Sequence, residues 1–271
     1  MHITVDGTDC FAATGGREFD PALPLVVLVH GAGLDSSVWA LHSRWFAHHG
    51  SSVLAVDLPG HGRSGGSPLP TIAAMADWVA ALPAAVGLEK AILIGHSMGS
   101  LVAIEAAARH PGRVSALGLV GAAAAMPVHA DLLAAAAAGD HAAIAMVSIW
   151  GHGFRAGLGG SLAPGLWMLG EAQRLLERAR PGVLFNDLSA CNAYADGIES
   201  AHHIACPTTL VLGRRDLMTP AKAGIELAGA IPGARVVVLE EAGHMLMAER
   251  PDDVLDALAA LCDRAGPFQS H

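Results

Sequence analysis

Aromatic side chains make up only 4% of the 271 residues, so aliphatic side chains and alanine must fill whatever core the chain builds. Hydrophobic residues at 52% are ample for a sizeable one. Basic runs are absent and the formal net charge is −9, which argues against nucleic acid or an anionic membrane as partner. The four cysteines (Cys10, Cys191, Cys206, Cys262) are scattered, with no C-x-x-C and no short secretory framework. Free thiols in a reducing cytoplasm are the expectation. The N-terminal stretch lacks a basic start followed by an apolar segment, so no signal peptide is read there. No window approaches about 18 uninterrupted apolar residues, and the run Ala134 to Ala138 is small rather than greasy. The paired histidines His48-His49 and His202-His203 cannot face one ligand point, and no H-x-x-x-H accompanies a carboxylate on a clear helix. No G-x-G-x-x-G opens a helix after the first strand. A soluble cytoplasmic protein without metal or cofactor, monomeric or homodimeric, is expected.

What is present is an alternation of apolar strands and helices. Residues 2–14 read as a hairpin turning at Asp6-Gly7. Strands are expected at 25–29, 52–56, 91–94, 114–120, 209–212 and 236–239, and helices at 36–49, from Thr71 to a break near Pro83, and at 98–110. Thr219-Pro220 reads as the cap and first residue of another helix, and Pro251 with Asp252 and Asp253 as the start of a last one. This order predicts a largely parallel sheet covered on both faces. Residues from about 122 to 204 hold no convincing strand, only helical pieces and glycine-rich joints.

The most informative stretch is Ile92-Leu93-Ile94-Gly95-His96-Ser97-Met98-Gly99, a strand running into Gly-x-Ser-x-Gly. A serine hydroxyl is a poor nucleophile unless it is exposed, deprotonated and backed by groups that hold the charge it creates. Glycines on either side suit a sharp strand-to-helix turn, which crowds backbone that a Cβ would strike. Downstream, Thr209 to Leu212 runs into Gly213-Arg214-Arg215-Asp216, and Val236 to Leu239 into Glu240-Glu241-Ala242-Gly243-His244. Upstream, Leu25 to Val29 runs into His30-Gly31-Ala32-Gly33, and Val56-Asp57-Leu58-Pro59-Gly60-His61-Gly62-Arg63-Ser64 follows another strand.

Taken together these motifs resemble the α/β-hydrolase fold superfamily, in its single-domain, esterase-like branch with a helical cap. The resemblance spans about residues 25 to 264. It implies a doubly covered, mostly parallel eight-stranded sheet, with residues 1–121 and 205–271 as the core and 122–204 as an inserted helical lid. It also implies Ser97 as nucleophile, His244 as the base that takes and returns its proton, and Asp216 as the acid that orients the imidazole. No carboxylate ends strand 114–120 (Gly121-Ala122-Ala123), which favours Asp216 over that other acid position of the family; Glu240 and Glu241 remain weaker rivals. The oxyanion hole is expected from the backbone N–H groups of Ala32 and Met98.

For the pocket, Gly31, Gly33, Leu34, Met98 and Met245 flank the site from below. Trp150, Phe154, Trp167, Met168 and Leu169 could form an apolar ceiling, and Asn192, Tyr194 and Asp196 could supply polar contacts. His30, Asp57 and His61 read as loop-ordering residues, and His96 as packing under the sheet, away from the pocket. The reading is a serine hydrolase for small to medium carboxylic esters or lactones, acting through an acyl-enzyme on a small-molecule substrate. The alternatives are carbon–carbon bond hydrolysis or lysis on the same triad, and a ligand-binding sensor with residual hydrolysis.

Overall fold

A computed structural model describes residues 1–159, 161, 162, 165 and 167–265. One eight-stranded sheet organises them, in the order β1-β2-β4-β3-β5-β6-β7-β8. The hairpin β1 (His2–Val5) and β2 (Thr8–Ala13) turns at Asp6 and Gly7, both at positive φ, and β2 pairs antiparallel with β4 (Ser52–Val56). From β4 onward every pairing is parallel, through β3 (Leu25–Val29), β5 (Ala91–His96), β6 (Val114–Val120), β7 (Thr208–Gly213) and β8 (Arg235–Leu239). Because β4 lies on one side of β3 and β5 on the other, the chain changes direction across the sheet between β3 and β5. Their carboxyl ends therefore open a crevice, the place where open α/β sheets bind ligands.

Side chains alternate across each strand, and the core divides accordingly. Val27 and Val29 join Leu93, Leu117 and Leu210 on one face, against α2 (Ile72–Ala85), α3 (Met98–Arg109) and α9 (Ala221–Ala230). Val26 and Leu28 join Ile92, Ile94 and Val211 on the other, against α1 (Ala40–His48) and α11 (Pro251–Ala265). Between β6 and β7 the chain forms α4 (Ala130–Ala138), α5 (His141–Trp150), α6 (Met168–Glu177), α7 (Val183–Ala193) and α8 (Gly197–His202). Leu132, Ala136, Ala143 and Leu188 give α4, α5 and α7 a small core of their own. Helix α8 belongs with the sheet, since Ala201 is wholly buried in the α2–α3 core. A short helix, α10 (Leu246–Glu249), precedes α11.

Two helix ends differ from the sequence expectation. The Thr71 hydroxyl does cap α2, accepting from Ala74 N–H at 3.1 Å, but the helix runs through Pro83 to Ala85. Pro83 lies in the last turn, where its missing N–H forfeits one bond and the helix is about to end. At α9, Pro220 takes the cap position and helix begins at Ala221, which frees Thr219 for another partner. Leu258, wholly buried on α11, tests the second core: Leu258→Ala is expected to lower unfolding stability by about 2–5 kcal/mol in urea titration.

Candidate active site

Strand β5 ends at His96, α3 begins at Met98, and Ser97 makes the turn between them at φ 54° and ψ −121°. Such a conformation is strained for a residue with a side chain. Two close approaches hold it. A Cβ on Gly95 would lie 2.0 Å from Gly99 O, and one on Gly99 would lie 2.5 Å from Val29 O. Helix α3 thus starts directly against β3 and β5, and only Cβ-less residues fit at both contacts. The Ser97 N–H donates to Val120 O at 3.0 Å, tying the turn to β6 as well.

His244 lies in the loop after β8, and its Nδ1 is 2.8 Å from Asp216 Oδ2, just beyond β7. Asp216 Oδ1 accepts the N–H groups of Met218 and Thr219, each at 2.8 Å. The Thr219 hydroxyl donates to Asp216 Oδ2 at 2.7 Å and sits 3.1 Å from His244 Nδ1. Burial disfavours the Asp216 charge, yet the adjacent His244 and these donors hold its carboxyl below the usual carboxylate range. Nothing in the sequence marked Thr219 for this; an x-Thr-Pro start to a helix reads as a cap. At the end of β6, Gly121 packs on the imidazole, a Cβ there lying 3.2 Å from His244 Nδ1. The alternative acid position is thus filled by the histidine ring itself. Glu240 pairs instead with Arg214 at the surface, 3.0 Å away, and is no rival.

His244 Nε2 is buried and has no hydrogen-bond partner among the described residues. It lines, with Ser97, a slot of about 30 Å³ that also takes in Gly31, Leu34 and Met245. His96 is a wall of this slot, which corrects the expectation that it packs away from the pocket. Its Nε2 donates to His244 O at 2.9 Å and its ring lies 4.8 Å from the His244 ring. Burial, and then the neighbouring His244, push His96 down to about 3, so it is neutral beside the working imidazole. From α5 and the turn after it, Ser148 Oγ and His152 Nε2 are also buried without partners among the described residues, and both residues line the slot.

On its other side Ser97 opens to a cavity of about 340 Å³ lined by Ala32, Met126, Leu132, Trp150, Leu188 and Met218, among others. Trp150 thus lines a cavity that Ser97 also lines. Three other pocket expectations are not met. Trp167 is 70% exposed, its ring lying over Gly170 on the outside of α6. Tyr194 OH donates to Glu105 Oε2 at 2.9 Å, because a buried carboxylate on α3 needs donors. Gly33 faces away, its N–H taken by Asp187 Oδ2 at 2.8 Å. Phe154 likewise points to solvent, at 84% exposure, while Asn192 Oδ1 accepts Val128 N–H and so shapes the 340 Å³ cavity from behind. A further cavity, about 630 Å³ and rimmed by Arg44, Arg63, Arg178 and Arg180, lies beyond the Gly33–Leu34 turn and is not lined by Ser97.

Gly31 brings the loop after β3 against the serine, a Cβ there lying 3.2 Å from Ser97 Cβ. The N–H groups of Ala32, in that loop, and Met98, first residue of α3, are engaged by no acceptor among the described residues. Helix α3 directs its positive end to the same place.

A parallel α/β sheet carrying a serine on a strained strand–helix turn at its switch point is an α/β hydrolase. A family model described as "Alpha/beta hydrolase family" matches residues 26–257, and the chain belongs to that family. It is 34% identical over 249 residues to a pimeloyl-(acyl-carrier protein) methyl ester esterase of Chromobacterium violaceum, covering 87% of this chain and 93% of that protein. It is 28% identical over 241 residues to a putative carbamate hydrolase of Klebsiella pneumoniae, covering 83% of this chain and 85% of the other. Among solved structures, the enol-lactonase of Burkholderia xenovorans superimposes with a TM-score of 0.81 at 26% identity, covering 97% of this chain and all of that one. The chain is a hydrolase.

The two close approaches at the serine turn generate one expectation. Gly99→Ala should destabilise the fold by about 2–3 kcal/mol or more, read in urea titration, because backbone rather than a flexible side chain must give way.

Proposed function

We propose that the chain is a serine hydrolase for carboxylic esters with a short alkoxy group, working through an acyl-enzyme under a helical cap formed by the segment between β6 and β7. One observation carries this reading: His244 is oriented at 2.8 Å by Asp216 while its buried Nε2 is left without a partner in the slot it shares with Ser97. In the proposed reaction Ser97 Oγ attacks the ester carbonyl carbon as its proton passes to His244 Nε2. The carbonyl oxygen becomes an oxyanion held by the N–H groups of Ala32 and Met98, each donor typically worth about 10²–10³ in rate. The carbon–alkoxy bond then breaks, and His244 returns the proton to the departing oxygen. Water enters the same slot and attacks the acyl carbon as its proton passes to His244; the bond to Ser97 Oγ then breaks, His244 returns the proton to Oγ, and the acid is released.

The two spaces around Ser97 support one assignment of the ends of the substrate. The leaving oxygen must meet His244, which lines the slot of about 30 Å³ and not the larger cavity. The slot is much the smaller of the two spaces, which favours a short alkoxy group such as methoxy over a long one such as butoxy. The acyl chain then occupies the mainly apolar 340 Å³ cavity beneath Trp150. The names of the relatives support this assignment, since several are methyl ester esterases. After the alcohol leaves, the bare acceptor of His152 and the Ser148 hydroxyl suit a water that must be held before attack. An enol-lactonase among the similar structures favours lactones as a second substrate class, in which the alkoxide stays tethered.

The burst of methanol from methyl butanoate, followed by intact mass, tests the core of the proposal. Wild type should carry an acyl adduct that Ser97→Ala lacks, with activity in the variant reduced roughly 10⁶-fold; turnover at the wild-type rate would overturn it. Asp216→Asn should cost about 10⁴ in kcat, and a loss below about tenfold would remove Asp216 from the role. Methyl butanoate should be hydrolysed at least about tenfold faster, by kcat/KM, than butyl butanoate. The reverse order would exchange the two subsites.

A further inference from the structure

A second buried histidine–carboxylate pair stands on the far side of the loop that follows β3. Asp187, on α7, is wholly buried, and its Oδ2 accepts both Gly33 N–H and His61 Nε2–H, each at 2.8 Å. The other ring nitrogen of His61, Nδ1, faces Pro59 O at 3.1 Å. Both nitrogens meet oxygen acceptors, so both carry protons and the ring is an imidazolium. Burial opposes that charge, but the bond to Asp187, its carboxylate and that of Asp57 hold the His61 pKa above the ordinary histidine range. The groups around it are consistent with one cation. His30, with its ring 4.8 Å away, donates from Nδ1 to Gly31 O at 2.8 Å and accepts Leu58 N–H at Nε2, so it is neutral. Burial, and then His61, push His30 down to about 4. Asp35, Asp57, Arg63, Arg178 and Arg180 line the cavity behind, with Asp35 paired to Arg178 and both Asp57 oxygens occupied by the N–H groups of Ser36 and Arg63.

These bonds fix the peptide units on both sides of Ala32. The carbonyl of Gly31 and the N–H of Ala32 belong to one planar trans unit, so holding the carbonyl on one side aims the N–H to the other. His30 holds that carbonyl. The next unit ends in Gly33 N–H, and Asp187 holds it. We propose that Asp187, with His61 as its counter-ion, is a positioning residue for the oxyanion loop, so that the Ala32 N–H is correctly aimed only while α7 is docked on the core. This rests on the assignment of Ala32 as oxyanion donor. A chain that needed only to dock a helix here would do as well with two packed apolar side chains, since burying an ion pair is costly. What the carboxylate adds is a directed acceptor for Gly33.

Because His61 titrates higher in the fold than in the unfolded chain, the ion pair is fully present below the unfolded pKa. It is lost as pH rises through the folded value. The test is acid release from methyl butanoate between about pH 6 and pH 9.5, giving kcat and KM for wild type, Asp187→Ala and Asp187→Asn, with circular-dichroism melts alongside. Asp187→Ala should lose roughly 10²-fold in kcat with KM within about twofold, since an oxyanion contact exists only in the transition state. Asp187→Asn keeps an oxygen for Gly33 but not the charge; it should recover most of that loss and lack the alkaline decline in kcat that wild type shows. A folded Asp187→Ala with wild-type kcat, or an Asp187→Asn with the wild-type alkaline limb, would overturn the inference. Should the alanine variant not fold, the asparagine variant decides by its pH profile. Were Ser97→Ala to release acid at the wild-type rate, the underlying assignment would fall. With Ser97→Ala inactive and the Asp187 variants unchanged, this inference alone would fall.

Discussion

Helix α3 can begin at Ser97 only because two backbones come closer there than any side chain allows. Gly95 lies under the first turn of the helix and Gly99 lies on the end of β3, with would-be Cβ contacts of 2.0 and 2.5 Å. That approach forces the serine into positive φ and lifts its hydroxyl into the crevice between β3 and β5. It also sets the distance from the helix terminus to the loop after β3, and hence the spacing of the Met98 and Ala32 N–H groups. Neither N–H needs a particular side chain. The geometry of both follows from two residues that have none.

The histidine side of the site depends on the same economy of position. Parallel strands deliver Asp216 and His244 from the ends of β7 and β8, neighbours in the sheet, so the pair meets without a long-range search. Gly121, one strand further in, supplies the flat face on which the ring rests. Thr219 closes the arrangement by occupying the carboxylate oxygen that faces the imidazole. With both Asp216 oxygens committed to donors, the carboxylate has one orientation, and it gives the ring one tautomer.

The sheet and its crossovers were legible because apolar strands and amphipathic helices alternate with distinct periods, and the serine turn because its glycines obey a steric requirement. Asp216 was singled out by its place after β7 in the order Ser97, Asp216, His244, and by the absence of a carboxylate after β6, where Gly121 instead packs on the His244 ring. Side-chain direction in the segment after β6 was not legible. Trp150 and Trp167 look alike in sequence, yet one lines the 340 Å³ cavity and the other is exposed on the rim of α6. Local patterns give a helix a buried face without saying what buries it. Thr219 and Asp187 escaped for a related reason: each reads as an ordinary turn or helix residue until a partner distant in sequence arrives. His96 was misread because strand alternation gives the side of the sheet but not the depth of the crevice at its end.

The segment between β6 and β7 makes directed polar contacts beside His244 and beside the loop after β3. At one, Gly151 O accepts the N–H groups of His244 and Met245, while Glu249 accepts from both Gly153 and Gly243. At the other, Asp187 accepts from Gly33 and His61. A cover held by apolar contacts alone could slide over the site and leave the loops beneath it unchanged. Directed hydrogen bonds to the backbone beside His244 and in the loop after β3 tie the geometry of both loops to the position of these helices. Docking of these helices therefore does two things at once, since it shapes the 340 Å³ cavity and holds the backbone of the loops beside Ser97 and His244. Residues far from Ser97 in sequence, on α7 and in the turn after α5, are accordingly part of how the site is built rather than a lid placed over a finished one.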